Sequence, residues 1–267
     1  MSRLATQDLT IRFGGHVAVN AVTCAFEPGT LTAIVGPNGA GKTTYFNLIS
    51  GQLRASSGTV TLDGKDLSGS SPSARTRAGL GRAFQLTNLF PRLSVLENVR
   101  LAVQATRQGR HRHGLNLWNI WSDHADLLTR ARQLLQEVAM AHKADELVAN
   151  LPHGDQRKLE VALLMALESK VFMFDEPTAG MNAAEAPVIL NLIRKLKADP
   201  SRTILLVEHK MDVVRELADR IIVLHNGSLV ADGEPAEVIA SPVVQEAYLG
   251  VAAQAASIQA RGRLEKP

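Results

Sequence analysis

The residues at positions 36–44 have the types and spacing of a loop that binds phosphate. They fit the pattern G-x-x-x-x-G-K-[ST] and read Gly36-Pro37-Asn38-Gly39-Ala40-Gly41-Lys42-Thr43-Thr44. Glycines let the backbone point its N–H groups at phosphate oxygens, and the helix that follows adds the positive end of its dipole. We expect Lys42 to reach the β- and γ-phosphates of a nucleotide and the Thr43 hydroxyl to ligate Mg²⁺. The alternative is a glycine turn that binds no ligand.

A second candidate group is the carboxylate pair Asp175-Glu176, which follows the apolar run Phe172-Met173-Phe174. A carboxylate at the end of a buried strand beside a phosphate loop can hold Mg²⁺, usually through a water molecule, and this predicts the role of Asp175. Glu176 is then the candidate general base that polarises the water attacking the γ-phosphate. Taken alone, an Asp-Glu pair at a strand end is more often a solvated turn.

Both groups come at the end of a predicted buried strand. The apolar run Leu31–Val35 precedes the phosphate loop, which leads into a segment with Tyr45, Leu48 and Ile49 at helical spacing. Further strands are predicted at residues 4–13, 17–26, 58–65, 79–84, 171–174, 203–207, 221–224 and 228–230.

Helices are predicted between these strands. Residues 95–167 have a mainly helical pattern, and Asn182 with Glu185 fits a capping box for a later helix. The apolar face of that helix is predicted to contain Ile189, Leu192, Ile193 and Leu196. Strands that alternate with helices predict an α/β fold with a mostly parallel sheet. Hairpins are predicted at Asp63-Gly64 and at Asn226-Gly227, and they add antiparallel strands at the margin of that sheet.

Composition and charge exclude several functional classes of protein. The chain has 267 residues, 45% of them hydrophobic, which is enough for a sizeable core. Its formal charge of +3 does not indicate a nucleic-acid footprint. Cys24 is the only cysteine, so no disulfide can form within the chain, and a reducing compartment is expected. The sequence contains neither a signal peptide pattern nor an apolar run of the roughly 18 residues that a membrane span needs. Any membrane role is therefore expected to depend on a partner.

With these motifs in this order, the chain resembles the ATP-binding subunits of ABC transporters over residues 4–250. The resemblance implies the ABC ATPase form of the P-loop NTPase fold in one nucleotide-binding domain, residues 1–250. Its RecA-like core would comprise residues 1–93 and 168–250, with a helical subdomain inserted at about 94–167. The tail at 251–267 is rich in Ala and Gln and is expected to be flexible.

The resemblance also assigns residues beyond the two motifs. Phe13, ahead of the phosphate loop, would stack on adenine. Gln85, in the sequence Arg82-Ala83-Phe84-Gln85, would sense Mg²⁺ and touch a membrane partner. His209 would be the switch histidine, and Asn182 would lie in the loop that communicates across a dimer. Singly, each has an ordinary interpretation: Phe13 as core, Gln85 as surface and His209 as a turn residue.

One segment departs from the family pattern. Where ABC proteins have Leu-Ser-Gly-Gly-Gln, this chain has Leu151-Pro152-His153-Gly154-Asp155. In ABC dimers this segment completes the opposite subunit's nucleotide site. Because Pro152 has neither a hydroxyl nor an N–H, a hydrogen bond worth about 1.5–3 kcal/mol is absent. Asp155 suits a helix N-terminus but adds negative charge near a triphosphate, and the sequence leaves open which effect prevails. The alternative interpretation is a helix start without a ligand.

Among ABC proteins the likeness is closest to the ATP-binding subunits of branched-chain or hydrophobic amino acid importers, as in Ile11-Arg12-Phe13-Gly14-Gly15 and the ending Ala247-Tyr248-Leu249-Gly250. This implies ATP and Mg²⁺ as cofactors and a peripheral position on the cytoplasmic face of the inner (plasma) membrane. Implied partners are two membrane-spanning permease subunits, a second ATP-binding subunit (the same chain or a paralogue) and, indirectly, a periplasmic substrate-binding protein, but no nucleic acid.

Several alternatives stay open on the sequence alone. Relatives of this type also serve urea, short amides and aromatic acids, and an exporter ATPase or a soluble ABC ATPase would carry the same motifs. A P-loop kinase or GTPase is disfavoured, because the helical insert, Glu176 and His209 together indicate ATP hydrolysis coupled to dimerisation. Within the insert, Trp118 and Trp121 are expected to pack on the helices, with a membrane contact as the alternative. Metal binding by His111 and His113 is disfavoured.

Overall fold

In a computed structural model of the chain, residues 4–83, 89–110, 124–181 and 185–246 are described. The strands are β1 (Leu4–Phe13), β2 (His16–Phe26), β3 (Leu31–Val35), β4 (Ser57–Leu62), β5 (Lys65–Asp66), β6 (Leu80–Ala83), β7 (Val171–Asp175), β8 (Thr203–Val207), β9 (Arg220–His225) and β10 (Ser228–Gly233). The α-helices are α1 (Lys42–Ser50), α2 (Pro72–Ala78), α3 (Val95–Arg110), α4 (His124–Glu137), α5 (His153–Ala166), α6 (Ala186–Lys197), α7 (Met211–Leu217) and α8 (Pro235–Ala240). The predictions for Gln85, Asn182, His111, His113, Trp118, Trp121 and the tail at 251–267 lie outside the described residues.

The larger sheet has six strands in the order β10-β9-β3-β8-β7-β6. Pairing is parallel from β6 through to β9, and only β10 pairs antiparallel, at the margin next to β9. Every residue of β3, β7 and β8 is buried, as expected of central parallel strands covered on both faces. The predicted α/β fold, with a mostly parallel sheet and an antiparallel margin, is confirmed.

The N-terminal strands form a second sheet of their own. Its order is β2-β1-β4-β5, and all of its pairs are antiparallel. The sequence predicts these strands and the hairpin between β4 and β5, but it does not separate them from the main sheet. Apolar side chains of this sheet and of α1 share one buried cluster, with members such as Leu9, Val22 and Phe46.

The helical region predicted at 95–167 contains α3, α4 and α5 with two short 3₁₀ turns at Ala141–Lys143 and Val148–Asn150. Its side chains share a buried cluster with the main sheet, as Val99, Leu134 and Leu159 do with Phe172. The division into core and inserted subdomain stays a prediction. Within the described ranges, no helix combines the length and apolarity needed to cross a bilayer.

Of the predicted capping box, Asn182 lies outside the described residues, and Glu185 precedes the helix instead of lying in its first turn. Helix α6 begins at Ala186, with Glu185 at the N-cap and no side-chain cap hydrogen bond. Pro187 explains the later start, because a proline is tolerated in the first turn but would clash with the carbonyl of residue 183 in a helix begun after Asn182. The predicted apolar face is confirmed, since Ile189, Leu192, Ile193 and Leu196 are all buried.

A buried arginine fixes the far end of the helix that follows the phosphate loop. Arg75, on α2, donates from Nη1 to the carbonyls of Leu48 and Ile49 at 2.7 and 2.6 Å and from Nη2 to the Ser68 carbonyl at 3.0 Å. The last carbonyls of a helix have no partner within the helix. Arg75 supplies a partner for the Ile49 carbonyl and a second one for the Leu48 carbonyl, which also accepts the N–H of Gly51 at 3.3 Å. Helix α1 is therefore held at its C-terminus as well as at its loop.

Candidate functional site

The candidate residues meet at one edge of the main sheet. Strands β3, β8 and β7 are neighbours and parallel, so their carboxyl ends lie side by side. The phosphate loop follows β3, the Asp175-Glu176 pair ends β7, and His209 comes two residues after β8. In parallel α/β sheets this edge is where ligands bind.

The phosphate loop has a backbone shape that only glycine accommodates at two positions. Gly36 has φ +149°, and a Cβ there would overlap the carbonyl of Leu224. Gly41 has φ +94°, and a Cβ would lie 2.5 Å from the carbonyl oxygen of Ala18. Gly41 is also the N-cap of α1, so Lys42 is the first helical residue. The prediction that a glycine loop opens directly into a helix is confirmed.

Lys42 lies inside the turn of this loop. Its Nζ donates to the carbonyls of Gly36 and Pro37 at 2.6 and 2.8 Å, and the residue is 9% exposed. Burial lowers the pKa of Lys42, whereas the charges of Glu176 and Asp175 raise it. The ammonium group is therefore within electrostatic range of both carboxylates. This proximity is needed if the lysine and the two carboxylates are to act on the same phosphate chain.

Asp175 is buried and paired with an arginine, Arg82, to which the sequence patterns assign no role. Nη2 of Arg82 donates to Oδ2 of Asp175 at 2.9 Å, and the two side chains are 9% and 3% exposed. Burial raises the pKa of Asp175 above its ordinary value, although the charge and hydrogen bond of Arg82 oppose the shift. Arg82 therefore favours the ionised form of this buried carboxylate, which burial disfavours.

Glu176 adopts a backbone conformation that is uncommon for a residue with a side chain. Its φ is +48°, in the left-handed region, which costs a non-glycine residue roughly 1–2 kcal/mol. Its N–H donates to the carbonyl of Val207 at 2.9 Å, which extends the β7–β8 pairing by one residue. The side chain is 44% exposed, and Oε1 lies 3.7 Å from Nδ1 of His209. Strain of this kind concentrates at functional sites.

Thr178 and Glu208, to which the sequence patterns assign no role, form a second pair next to His209. Glu208 is 1% exposed and accepts a hydrogen bond from the Thr178 hydroxyl at 3.0 Å. Its other oxygen accepts the N–H of His209 at 3.2 Å and lies 3.7 Å from Nδ1 of that residue. Glu208 therefore joins the turn after Glu176 to the turn that carries His209.

The ligand atoms available at this edge suit a hard cation. Thr43, the second residue of α1, supplies a hydroxyl oxygen, and Asp175 supplies carboxylate oxygens. Mg²⁺ prefers oxygen ligands and is usually bound through one or two carboxylates together with substrate phosphates. The described residues contain no group of three or more His, Cys, Asp or Glu side chains that would bind a metal without a substrate. Thr43 and Asp175 fit a magnesium ion that arrives with a nucleotide.

Two predicted elements belong to other strands and helices, β1 and the start of α5. Phe13 is 49% exposed at the end of β1, so its ring is open to a ligand and the interpretation as core is wrong. The segment Leu151-Pro152-His153-Gly154-Asp155 leads into α5, with Pro152 at the N-cap. It faces the chain after Glu176: Cε1 of His153 lies 3.9 Å from the Cβ position of Gly180.

The charge of Asp155 is compensated within the chain. Its carboxylate forms ion pairs with Nζ of Lys143, 2.8 Å from Oδ2, and with Nζ of Lys158, 2.7 Å from Oδ1. Burial raises the pKa of Asp155, but the hydrogen bonds from the two lysines outweigh this effect and hold it below its ordinary value. The sequence left the effect of this carboxylate open, and the two lysines reduce the negative charge that it presents.

Family models match two stretches of the chain. A model described as "ABC transporter" matches residues 19–179, and one described as "Branched-chain amino acid ATP-binding cassette transporter" matches residues 228–254. The first stretch contains the phosphate loop and the carboxylate pair.

Individual relatives agree with these matches. The high-affinity branched-chain amino acid transport ATP-binding protein LivG of Salmonella typhimurium is 37% identical over 250 residues, which covers 93% of this chain and 98% of the relative. The corresponding protein BraF of Pseudomonas aeruginosa is 36% identical over 260 residues, covering 94% and 100%. The crystal structure of the ADP conformation of MJ1267, an ATP-binding cassette of an ABC transporter, superposes with a TM-score of 0.77 at 28% identity, covering 94% and 99%.

Proposed function

Because the chain belongs to the ABC transporter family, we propose that it is the ATP-hydrolysing subunit of an importer for branched-chain or other hydrophobic amino acids. The observation that carries this proposal is the match of residues 228–254 to the model of branched-chain amino acid transporters. The phosphate loop and the carboxylates cannot identify the substrate, because ABC ATPases share them whatever substrate they transport. The names of LivG and BraF agree with it.

We assign the site residues as follows. The phosphate loop and Lys42 bind the triphosphate, and Thr43, Asp175 and Gln85 hold Mg²⁺, which would neutralise phosphate charge in the transition state. Support for this assignment comes from the buried Lys42 beside two carboxylates and from the oxygen atoms available at the edge of the sheet. Phe13, with its half-exposed ring, stacks on the adenine.

Glu176 is the proposed general base. Its partly exposed carboxylate accepts a proton from water as the water attacks the γ-phosphorus, and the bond from that phosphorus to the bridging oxygen breaks, so that ADP leaves. His209, 3.7 Å from that carboxylate, orients it and donates a hydrogen bond to the γ-phosphate. The strained turn at Glu176 supports this assignment, because the surrounding structure maintains an unfavourable backbone conformation at the position that requires the base.

The subunit works with a membrane permease, and we propose that two permease subunits and a second ATP-binding subunit complete the transporter. Two ATP molecules would be sandwiched between the ATP-binding subunits, each completed by residues 151–155 of the opposite chain. Closure around ATP is a population shift that hydrolysis releases, and the permease would couple it to alternating access. The ATP-binding subunits would lie on the cytoplasmic face of the inner (plasma) membrane, and the transporter would receive its substrate from a periplasmic binding protein.

The proposal is tested by the uptake of labelled leucine, isoleucine and valine in source cells carrying Lys42→Ala. Uptake should collapse at an unchanged protein level, because the variant lacks the ammonium group that binds phosphate. Lys65→Ala is the matched control, since Lys65 is an exposed lysine on β5 that makes no part of the site. It should transport like the wild type.

The same cells can distinguish the alternatives. If uptake of the three amino acids is unchanged in Lys42→Ala while that of urea, a short amide or an aromatic acid falls, the substrate assignment is wrong and the ATPase assignment stands. If purified wild-type protein does not hydrolyse ATP with its permease present, the ATPase assignment is wrong as well.

A further inference from the structure

Arg82 connects the two parts of the candidate magnesium site. Its guanidinium donates from Nη2 to Oδ2 of Asp175 at 2.9 Å and from Nη1 to Oδ1 of Asn47 at 2.6 Å and Oγ of Ser50 at 2.8 Å. It also lies over the ring of Phe46, with Cζ 5.1 Å from the centroid. One planar group therefore bridges the end of β7 and the face of α1.

The face of α1 that Arg82 contacts is the face that carries the other candidate ligand. Thr43 and Asn47 are four residues apart on the same helix, so their side chains lie on one side of it, and Ser50 follows three residues later. Arg82 itself is fixed by its strand, since β6 pairs in parallel with β7 and places Arg82 opposite Met173. A displacement of α1 relative to β7 would break these bonds.

We propose that Arg82 is a positioning residue for the magnesium site. Arg82 holds the Asp175 carboxylate in one orientation and at a fixed distance from the Thr43 hydroxyl. This inference rests on the proposed function. The bond from Arg82 occupies Oδ2 and leaves Oδ1 for the metal or its water. Partners that orient metal ligands from outside the coordination sphere typically contribute about 10- to 100-fold to metal affinity.

The charge of Arg82 acts in the opposite direction. A guanidinium group beside a cation site repels the cation, so a role limited to charge predicts that removing Arg82 tightens metal binding. A positioning role predicts weaker binding, because a freed carboxylate loses the orientation that the metal needs. The sign of the change therefore decides between the two roles. Lysine is not equivalent, because a single ammonium cannot reproduce a rigid planar fork that reaches acceptors on two elements.

The experiment measures equilibrium Mn²⁺ binding to the full chain with ADP bound, by electron paramagnetic resonance, since Mn²⁺ takes the same oxygen ligands as Mg²⁺. We expect Arg82→Met to bind Mn²⁺ about 10-fold or more weakly than the wild type. Its binding of a fluorescent ATP analogue in EDTA should stay within about twofold of the wild type, because the phosphate loop is unchanged. Arg82→Lys should give an intermediate Mn²⁺ affinity.

Arg202→Met is the matched control. Arg202 also stacks on a phenylalanine, with Cζ 5.4 Å from the Phe172 ring, and pairs with Asp199 at 2.9 Å, but it makes no contact with the site. Its Mn²⁺ affinity should equal that of the wild type. Where Arg82→Met does not fold, Asn47→Ala removes one anchor of Arg82 and should weaken Mn²⁺ binding by a smaller factor.

Two results would overturn the proposal. Mn²⁺ binding that is unchanged or tighter in Arg82→Met shows that the arginine does not position Asp175. Loss of metal-free nucleotide binding in the same variant shows that Arg82 supports the whole loop instead. Failure of the ATPase part of the proposed function has a different signature, since the wild-type chain itself would then bind no nucleotide. Failure of the substrate assignment would change neither nucleotide nor Mn²⁺ binding in any of these variants.

Discussion

Replacing Glu176 by glutamine should separate catalysis from folding. Glutamine has the same shape and can adopt the same φ of +48°, so the strain of roughly 1–2 kcal/mol is present in both proteins. The lost pair with His209 joins side chains that are 44% and 54% exposed, and an exposed pair is worth at most about 1 kcal/mol. A missing general base, in contrast, costs about 10²–10⁴ in rate, or ~3–5 kcal/mol of barrier. The effect on turnover should therefore exceed any effect on stability.

The assay is phosphate release at saturating ATP and Mg²⁺, together with ATP affinity and the melting temperature of the isolated subunit. Glu176→Gln should lose about 10²–10⁴ in turnover, keep its affinity for ATP, and accumulate as a dimer in ATP. Glu168→Gln is the matched control, because Glu168 also has a positive φ, +50°, but follows α5 at a distance from the site. It should hydrolyse ATP at the wild-type rate.

Turnover of Glu176→Gln within about tenfold of the wild type would refute the assignment of the base, since that loss is smaller than a general base supplies. A melting temperature well below that of Glu168→Gln would show that Glu176 acts on folding. In that case the strained turn reflects local packing instead of catalysis.

Two further predictions concern stability. Gly41→Ala should destabilise the chain by more than Gly39→Ala in urea denaturation. Both glycines have a positive φ, but only at Gly41 would the new Cβ meet a backbone oxygen, 2.5 Å away. Equal losses of unfolding free energy in the two variants would contradict this loop geometry. Burial, with a contribution from Asp232, raises the pKa of the Cys24 thiol from 9.0 to about 11. The neutral thiol therefore contributes its full stability below pH 9. This contribution is lost between pH 9 and 11, because the thiol of the unfolded chain ionises there before that of the folded chain. The wild type should therefore lose stability relative to Cys24→Ala across that range, and parallel pH profiles for the two proteins would show that the thiol is not buried in this way.

The sequence by itself determined the local parts of this protein. The strand before the phosphate loop is predicted at its exact observed bounds, Leu31–Val35, and the hairpin from β9 to β10 follows from Asn226-Gly227 between two apolar runs. The phosphate loop, the carboxylate pair and the histidine are recognised from residues adjacent in the chain. Such features depend on periodicity and turn chemistry, which a short segment encodes without reference to the rest of the molecule.

The tertiary structure alone decided which distant residues stand beside these parts. Arg82 and Asp175 are 93 positions apart, and no local pattern marks either as the partner of the other. The compensation of Asp155 by Lys143 depends in the same way on how a 3₁₀ turn packs against α5, and the separation of β1, β2, β4 and β5 into their own sheet depends on pairings along the whole N-terminal third. Burial makes such pairs necessary, because a charge removed from water needs a partner, but only the fold determines which side chain is within reach.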